Sequence, residues 1–307
     1  MSTEFFAGNI VAFFHIPKTA GTTLKERYKN SDNFYIVDDE LKKNREWYPK
    51  VTRNSVFFGH DVEIGMIEKM YPKAKVHYIC AMRDPKERIM SSYNFIKTQA
   101  KYINPSFTGE LDFLLWFANK DIIRPMPHLH QYQYFYKKHV NMMSFYKSNA
   151  LMDDQLAMES LYMNTEILIA EKGENEEGFH ETKSYIDNKK KMELLEKTDA
   201  IEKRNSKFAL GLAKKHFDEV WFTDPNRAQN KNFVERFDEI LEKYNIKVTP
   251  DKAIERTNDT KLTMERQGLE FISYDMLSDE YKQIVGFANR WEQTFHEDMK
   301  EHFENKS

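Results

Sequence analysis

Short apolar runs alternate with helical segments through the first third of the chain, and no other feature constrains the fold as strongly. The runs predicted as strands are Ile10–His15, Phe34–Val37, Ser55–Phe58 and Val76–Met82. Helical spacing of apolar residues predicts helices over Leu24–Lys29 and Val62–Met70. This alternation is typical of a parallel sheet with helices on its faces, whose ligands bind at the carboxyl ends of the strands. The predicted class is therefore α/β, with a central, mainly parallel sheet covered by helices on both faces.

The chain beyond Leu111 is predicted to be mostly helical, which makes the C-terminal half helix-rich. Three later elements are predicted there: a strand at Val220–Thr223, a helix over Phe233–Tyr244, and one long amphipathic helix from Ser278 to Phe303. Ser278 has the residue type of a helix N-cap, and acids follow it. No linker or shift in composition separates two parts, so residues 1–307 are predicted to form a single domain.

Composition narrows the class of protein further. The formal net charge is −3, which lacks the basic excess of a general nucleic-acid binder. The one cysteine, Cys80, cannot form an intramolecular disulfide, so a disulfide-stapled secreted scaffold is excluded. No stretch approaches the roughly 20 apolar residues of a membrane-spanning helix. We therefore expect a soluble, cytoplasmic protein without a membrane span and without a nucleic-acid partner.

The segment His15–Thr23, HIPKTAGTT, joins the first predicted strand to the first predicted helix. It offers what an anion site needs: Gly21 for a tight turn, threonine hydroxyls, the Lys18 cation and the N-terminus of a helix. It is not a Walker loop, because Lys18 precedes the glycine instead of following it. The alternative is an ordinary strand-to-helix turn with an exposed lysine.

The segment Met82–Phe95, MRDPKERIMSSYNF, follows the fourth predicted strand. Asp84 before Pro85 is a strong helix start, and it leaves Arg83 at the carboxyl end of the strand. Arg88, then Ser91 or Ser92, and then Phe95 follow at helical spacing. An arginine and a serine beside an anion loop suit a second anionic group, and the alternative is a capped helix with a surface arginine.

A third segment, Val56–Asp61 (VFFGHD), places His60 directly after a predicted strand. This histidine is expected at the same sheet edge as the two segments above. The pair His128 and His130 has the spacing of metal ligands, but no second cluster completes a site, so no metal is expected. The alternation of Tyr132, Tyr134 and Tyr136 is interpreted as core packing or an exposed edge, with a strand or an acceptor-binding wall as alternatives.

The order of HIPKTAGTTL and RDPKERIMSSYNF resembles the sulfotransferases that use 3′-phosphoadenosine 5′-phosphosulfate (PAPS), most closely the carbohydrate O-sulfotransferases of the heparan sulfate 2-O type and their bacterial relatives. The likeness covers residues 10–95 well and residues 217–303 in part. It implies the P-loop-like sulfotransferase fold. It also implies a donor site of two parts: Lys18, Thr19, Ala20, Gly21, Thr22 and Thr23 around the 5′-phosphosulfate, and Arg83 and Ser91 on the 3′-phosphate. The family's strand-Gly-His segment carries its catalytic base, which corresponds to His60.

The resemblance and the residues together predict a PAPS-dependent O-sulfotransferase. A sulfuryl group passes to the hydroxyl of a carbohydrate or another alcohol, with His60 as general base and Lys18 stabilising the developing charge. Two other classes stay open. One is a nucleotide-dependent phosphotransferase of P-loop type, and the other is a non-catalytic anion-binding protein with the same fold.

Overall fold

A computed structural model describes residues 6–38, 40, 47, 49–98, 131–137, 188–223, 229–251 and 260–304. Its centre is a five-stranded sheet in which every neighbouring pair of strands is parallel. The strands are β1 (Asn9–Phe14), β2 (Phe34–Ile36), β3 (Ser55–Gly59), β4 (Lys75–Arg83) and β5 (Phe217–Thr223), in the spatial order β2-β3-β1-β4-β5. The predicted α/β class is confirmed.

The described helices precede, connect and follow these strands. They are α1 (Gly21–Tyr28), α2 (Met66–Met70), α3 (Pro85–Thr98), α4 (Gln131–Lys137), α5 (Asn188–His216), α6 (Gln229–Lys243), α7 (Thr260–Arg266), α8 (Asp279–Ala288) and α9 (Arg290–Glu304). Beyond residue 131 the described chain is helical apart from β5, a short 3₁₀ turn at Tyr274–Met276 and connecting segments. None of the described helices is long and apolar enough to cross a membrane.

Strand residues alternate between two apolar layers, because successive side chains of a strand point to opposite faces of the sheet. Val11 and Phe13 of β1 pack with α1 and α6 on one face. Ala12 and Phe14 pack with α2, α4, α5 and α9 on the other. Helices therefore cover both faces, and the edge formed by the carboxyl ends of the strands is left for loops.

The C-terminal segment forms two helices, so the prediction of one helix over Ser278–Phe303 is wrong. The predicted cap is present, since the N–H of Tyr281 donates to Oγ of Ser278 at 3.3 Å. The break lies at buried Asn289, whose side-chain amide donates to the carbonyl of Val285 at 2.8 Å. The carbonyl of Val285 also accepts the main-chain N–H of Asn289, at 3.1 Å, so the side chain competes for an acceptor of the helical ladder. The carbonyl of Asn289 then accepts the N–H of Gln293 at 2.8 Å, which starts the next helix.

Two other segments differ from their predictions. The helix predicted over Val62–Met70 covers only Met66–Met70, because Gly65 takes a left-handed conformation with φ of 84°. The tyrosine alternation belongs to a helix, α4, rather than to a strand. Tyr132 and Tyr134 are buried there, as core packing requires.

Candidate functional site

The carboxyl ends of the five strands form one edge, and the candidate residues follow the strand ends in spatial order. Asp38 follows β2, His60 follows β3, the segment 15–20 follows β1, Arg83 ends β4 and Thr223 ends β5. After β1 the chain continues to β2, which lies on one side of β1 in the sheet. After β4 it continues to β5, which lies on the other side. Neighbouring strands β1 and β4 thus flank a topological switch point, where open α/β sheets bind their ligands.

The loop between β1 and α1 has the backbone of an anion-binding nest. Lys18 and Ala20 both lie in the left-handed region, each with φ of 69°. Within the part of the chain that the structure describes, the N–H groups from Lys18 to Thr22 donate no hydrogen bond, whereas that of Thr23 donates to the carbonyl of Ala20. Successive unpaired N–H groups at the start of a helix attract anions. Left-handed non-glycine residues cost of order 1–3 kcal/mol each and cluster at ligand sites.

The three threonines of this loop have different roles. Thr19 is fully buried, and its hydroxyl donates to the carbonyl of Ile16 at 2.8 Å. Its side chain therefore stabilises the loop, and only its N–H is left for a ligand. Thr22 and Thr23 are partly exposed at the start of α1, and their hydroxyls make no hydrogen bond within the described residues.

Gly21 is required by a neighbouring ring. A Cβ at this position would overlap the imidazole of His15, which lies directly against the glycine. Burial lowers the pKa of His15 well below its ordinary value, and the nearby positive charges, that of His60 first, lower it further. His15 is consequently neutral at neutral pH and fills the space beneath the loop.

Lys18, in the first predicted anion segment, contacts the helix of the second. Its Nζ is 4.0 Å from the centre of the Phe95 ring, a cation–π contact with α3. Burial, and after it the positive charge of Arg83, lowers the pKa of Lys18 to about 8. Two cations held close together in a half-buried space provide strong attraction for an anion placed between them.

Arg83 is held through both its side chain and its main chain. Its guanidinium contacts Glu87 at 3.5 Å, and burial lowers its pKa, an effect that Glu87 opposes. The N–H of Arg83 donates to Oε1 of Gln131 at 3.0 Å, and Nε2 of Gln131 donates to the Arg83 carbonyl at 2.7 Å. The side-chain amide of Gln131 thus bonds to both the N–H and the carbonyl of Arg83, as the main chain of a neighbouring strand would.

The helix after Arg83 begins as predicted. The carboxylate of Asp84 accepts the N–H groups of Lys86 and Glu87 at 3.0 and 3.2 Å, with Pro85 in the first turn. Ser92 is buried, and its hydroxyl donates to the carbonyl of Arg88 at 3.0 Å. Ser91 is partly exposed and makes no hydrogen bond within the described residues. Because it lies one turn before Phe95, it shares the helix face that contacts Lys18, and it is the serine available to a ligand.

The helical spacing suggests that Arg88 faces the candidate site with Ser91 and Phe95, but its guanidinium is buried against Glu292 instead. It is 1% exposed, and its Nε lies 3.3 Å from Oε1 of Glu292, which is fully buried. The same oxygen accepts the main-chain N–H and the side-chain amide of Gln131 at 3.2 and 3.0 Å. This network connects helices α3, α4 and α9 to the main chain of Arg83.

His60 has a defined tautomer. Its Nδ1 lies 2.7 Å from the carbonyl oxygen of His15, and its ring stacks on that of His15 with centroids 4.2 Å apart. A carbonyl oxygen only accepts, so Nδ1 carries the proton. In the neutral ring Nε2 then holds the lone pair, which is the atom a general base uses.

Sequence reasoning missed three residues of this region: Asp38, Gln131 and Glu292. A signal existed for Asp38, an acid that directly follows the second predicted strand. Another existed for Glu292, which occupies the same apolar helix stripe as Phe295 and Met299. Gln131 had none.

His128 and His130 lie outside the described residues, and the described residues contain no group of three potential metal ligands. Burial raises the pKa of the Cys80 thiol well above its ordinary value, so the thiol stays protonated and unreactive.

A scan against models of protein families and a search of curated proteins found no match to this chain. Support for a function therefore comes from the geometry of the site alone. The fold and this edge define an α/β protein with a basic, N–H-rich loop beside a histidine.

Proposed function

We propose that this protein is a sulfotransferase that transfers a sulfuryl group from PAPS to the hydroxyl of an acceptor, a carbohydrate or another alcohol. One observation carries the proposal: Lys18, the N–H groups that follow it, and an imidazole with a lone pair on Nε2 meet at one edge of the sheet. Lys18 and the N–H groups suit an anionic group that is being transferred. The imidazole suits the removal of the proton from an acceptor hydroxyl.

The donor would be held at its two anionic ends. The N–H groups from Lys18 to Thr22 and the Lys18 amine suit the 5′-phosphosulfate. The family resemblance assigns Arg83 and Ser91 to the 3′-phosphate. Both lie near Lys18, since the charge of Arg83 lowers the Lys18 pKa and Ser91 lies one turn before Phe95, which Lys18 contacts. Charge-assisted contacts of this kind are worth roughly 1.5–3 kcal/mol each.

The chemical step asks the protein for in-line positioning and charge stabilisation, as phosphoryl transfer does. The acceptor oxygen forms a bond to sulfur as the bond from sulfur to the bridging phosphate oxygen breaks. The hydroxyl proton passes to Nε2 of His60, and adenosine 3′,5′-bisphosphate leaves. Lys18 stabilises the charge that develops on the departing phosphate. No step in this scheme requires a metal ion.

Calorimetry with adenosine 3′,5′-bisphosphate in the presence of EDTA tests the donor site. We expect nanomolar to micromolar affinity in the wild type. Lys18→Ala should weaken binding by about ten- to a hundredfold. Lys29→Ala, at the far end of α1 where the lysine pairs with Glu26, is the matched control and should bind like the wild type. Magnesium-dependent binding of ATP in place of the bisphosphate would contradict the proposal and favour a phosphotransferase.

Transfer of labelled sulfate from PAPS to a panel of sugars, phenols, lipids and small alcohols tests the reaction and identifies the acceptor. With that acceptor, His60→Ala should keep donor affinity and lose at least about a hundredfold in turnover, since general-base catalysis is worth about 10²–10⁴-fold. Wild-type turnover in His60→Ala would remove this histidine from the mechanism.

A further inference from the structure

A carboxylate from the neighbouring strand end holds the turn that carries His60. Asp38 follows β2, the strand that pairs with β3. Its Oδ1 accepts the main-chain N–H of Asp61 at 2.6 Å. A side chain on Gly59 would place its Cβ 2.5 Å from the same oxygen, and Gly59 has φ of +152°. The absence of a side chain on Gly59 therefore lets the Asp38 carboxylate contact the main chain on both sides of His60.

The ring of His60 is held by a second residue, His15. Its Nδ1–H donates to the His15 carbonyl at 2.7 Å, and the rings stack within 20° of parallel. The main chain of His15 is itself tied to this turn, because its N–H donates to the carbonyl of Gly59 at 3.0 Å. A shift of the turn would thus separate Nδ1 from its acceptor. The position of the turn and the hydrogen bond at Nδ1 are therefore coupled.

We propose that Asp38 is a positioning residue for His60. By holding the turn from Gly59 to Asp61, it keeps Nδ1 on the His15 carbonyl and Nε2 unprotonated toward the ligand edge. Neutral histidine in water favours the opposite tautomer, with the proton on Nε2, so this arrangement has to be imposed by the fold. The use of Nε2 as a base rests on the proposed function, whereas the tautomer itself does not.

The tautomer is measurable without any substrate. Protein labelled with ¹⁵N in its histidine rings, well above the ordinary histidine pKa of about 6.5, reports which ring nitrogen carries the proton. The His60 signals are assigned by their absence in His60→Gln. We expect Nδ1–H with a bare Nε2 in the wild type, and a mixture with the Nε2–H form in Asp38→Ala. Unchanged His60 signals in Asp38→Ala, or an Nε2–H form in the wild type, would overturn the proposal.

Two variants separate positioning from a general loss of structure. Asp38→Asn keeps an oxygen that can accept the Asp61 N–H, and it should preserve the wild-type tautomer. Asp32→Ala removes an exposed acid that pairs with Arg53 just before β2, and it should change nothing. If Asp38→Ala does not fold, Asp38→Ser replaces it, because the shorter hydroxyl does not reach the Asp61 N–H. A wild-type tautomer in that variant would equally refute the role of Asp38.

Steady-state kinetic measurements give a second readout once an acceptor has been identified. Asp38→Ala should lower kcat by roughly tenfold or more while the affinity for adenosine 3′,5′-bisphosphate stays within about twofold of wild type. Loss of bisphosphate affinity in Asp38→Ala alone, with kcat unchanged, would contradict a role through His60. Failure of the wild type to bind the bisphosphate would instead refute the proposed function and leave the tautomer result standing.

Discussion

The imidazole of His60 stacks on that of His15 with ring centroids 4.2 Å apart, and its Nδ1–H donates to the carbonyl oxygen of the same residue. His15 therefore contributes to the site twice, with its ring and with its main chain. Because its ring also lies against Gly21, it connects the anion loop to the candidate base.

Acid should destabilise the protein through His15. Burial lowers the pKa of His15 well below its ordinary value, so the unfolded chain binds the proton first as the pH falls. The free energy of unfolding should decrease below about pH 6.5, by up to about 1.4 kcal/mol per pH unit from this group. Urea denaturation of the wild type and of His15→Phe between pH 5 and pH 8 measures the difference in slope. Equal slopes in the two proteins would contradict the assignment.

Gly21→Ala should destabilise the fold, because the added methyl group overlaps the His15 ring. Overpacking of this kind costs about 1–3 kcal/mol. The matched control is Gly211→Ala in α5, where nothing lies within 4 Å of the added Cβ. That substitution should stabilise the helix by about 0.5–1 kcal/mol. Thermal denaturation should therefore shift in opposite directions for the two variants, and a shift in the same direction would argue against the close contact.

Donor binding should weaken as the pH rises through about 8, the pKa of Lys18 in the free protein. Above that value the amine loses its charge. Affinity for adenosine 3′,5′-bisphosphate should fall by up to about tenfold between pH 7 and pH 9. Lys18→Arg keeps its charge over this range, and calorimetry should show a flatter dependence for that variant. An equally steep dependence in both proteins would place the titrating group elsewhere.

Arg83→Ala should reduce discrimination for the 3′-phosphate. We expect a ten- to a hundredfold loss of affinity for adenosine 3′,5′-bisphosphate and a much smaller loss for adenosine 5′-monophosphate, because one charge-assisted contact is removed. Arg53→Ala, an exposed arginine paired with Asp32, serves as the control. Equal losses for the two nucleotides would assign Arg83 to the 5′ end of the donor.

Glu292→Ala should be among the most destabilising substitutions in the described chain. It leaves the 1% exposed guanidinium of Arg88 without its fully buried partner, and breaking such a pair costs about 3–5 kcal/mol. Glu301→Ala, exposed on the same helix, should stay within about 0.5 kcal/mol of wild type. Urea denaturation measures both. A small effect of Glu292→Ala would mean that the pair contributes little.

The sequence by itself determined those features that depend on neighbours along the chain. Apolar runs predicted all five strands, because a buried parallel strand needs an apolar side chain on both faces. Asp84 and Pro85 predicted the start of α3, because a cap satisfies the N–H groups of its own first turn. The same reasoning from neighbouring residues identified the loop around Lys18. It failed at Asn289, where one side chain interrupts a helix that the sequence pattern predicts to be continuous.

Only the tertiary structure determined which polar groups meet. Asp38 reaches the turn of His60 from another strand, and Gln131 reaches Arg83 from a helix 48 residues away. Glu292 lies 204 residues from Arg88, which the sequence pattern alone had grouped with the ligand-facing residues of its helix. Local periodicity shows which residues share a face, but a buried charge is stable only beside its partner. The packing of the whole chain brings that partner into place, so the local pattern does not show which residue it will be.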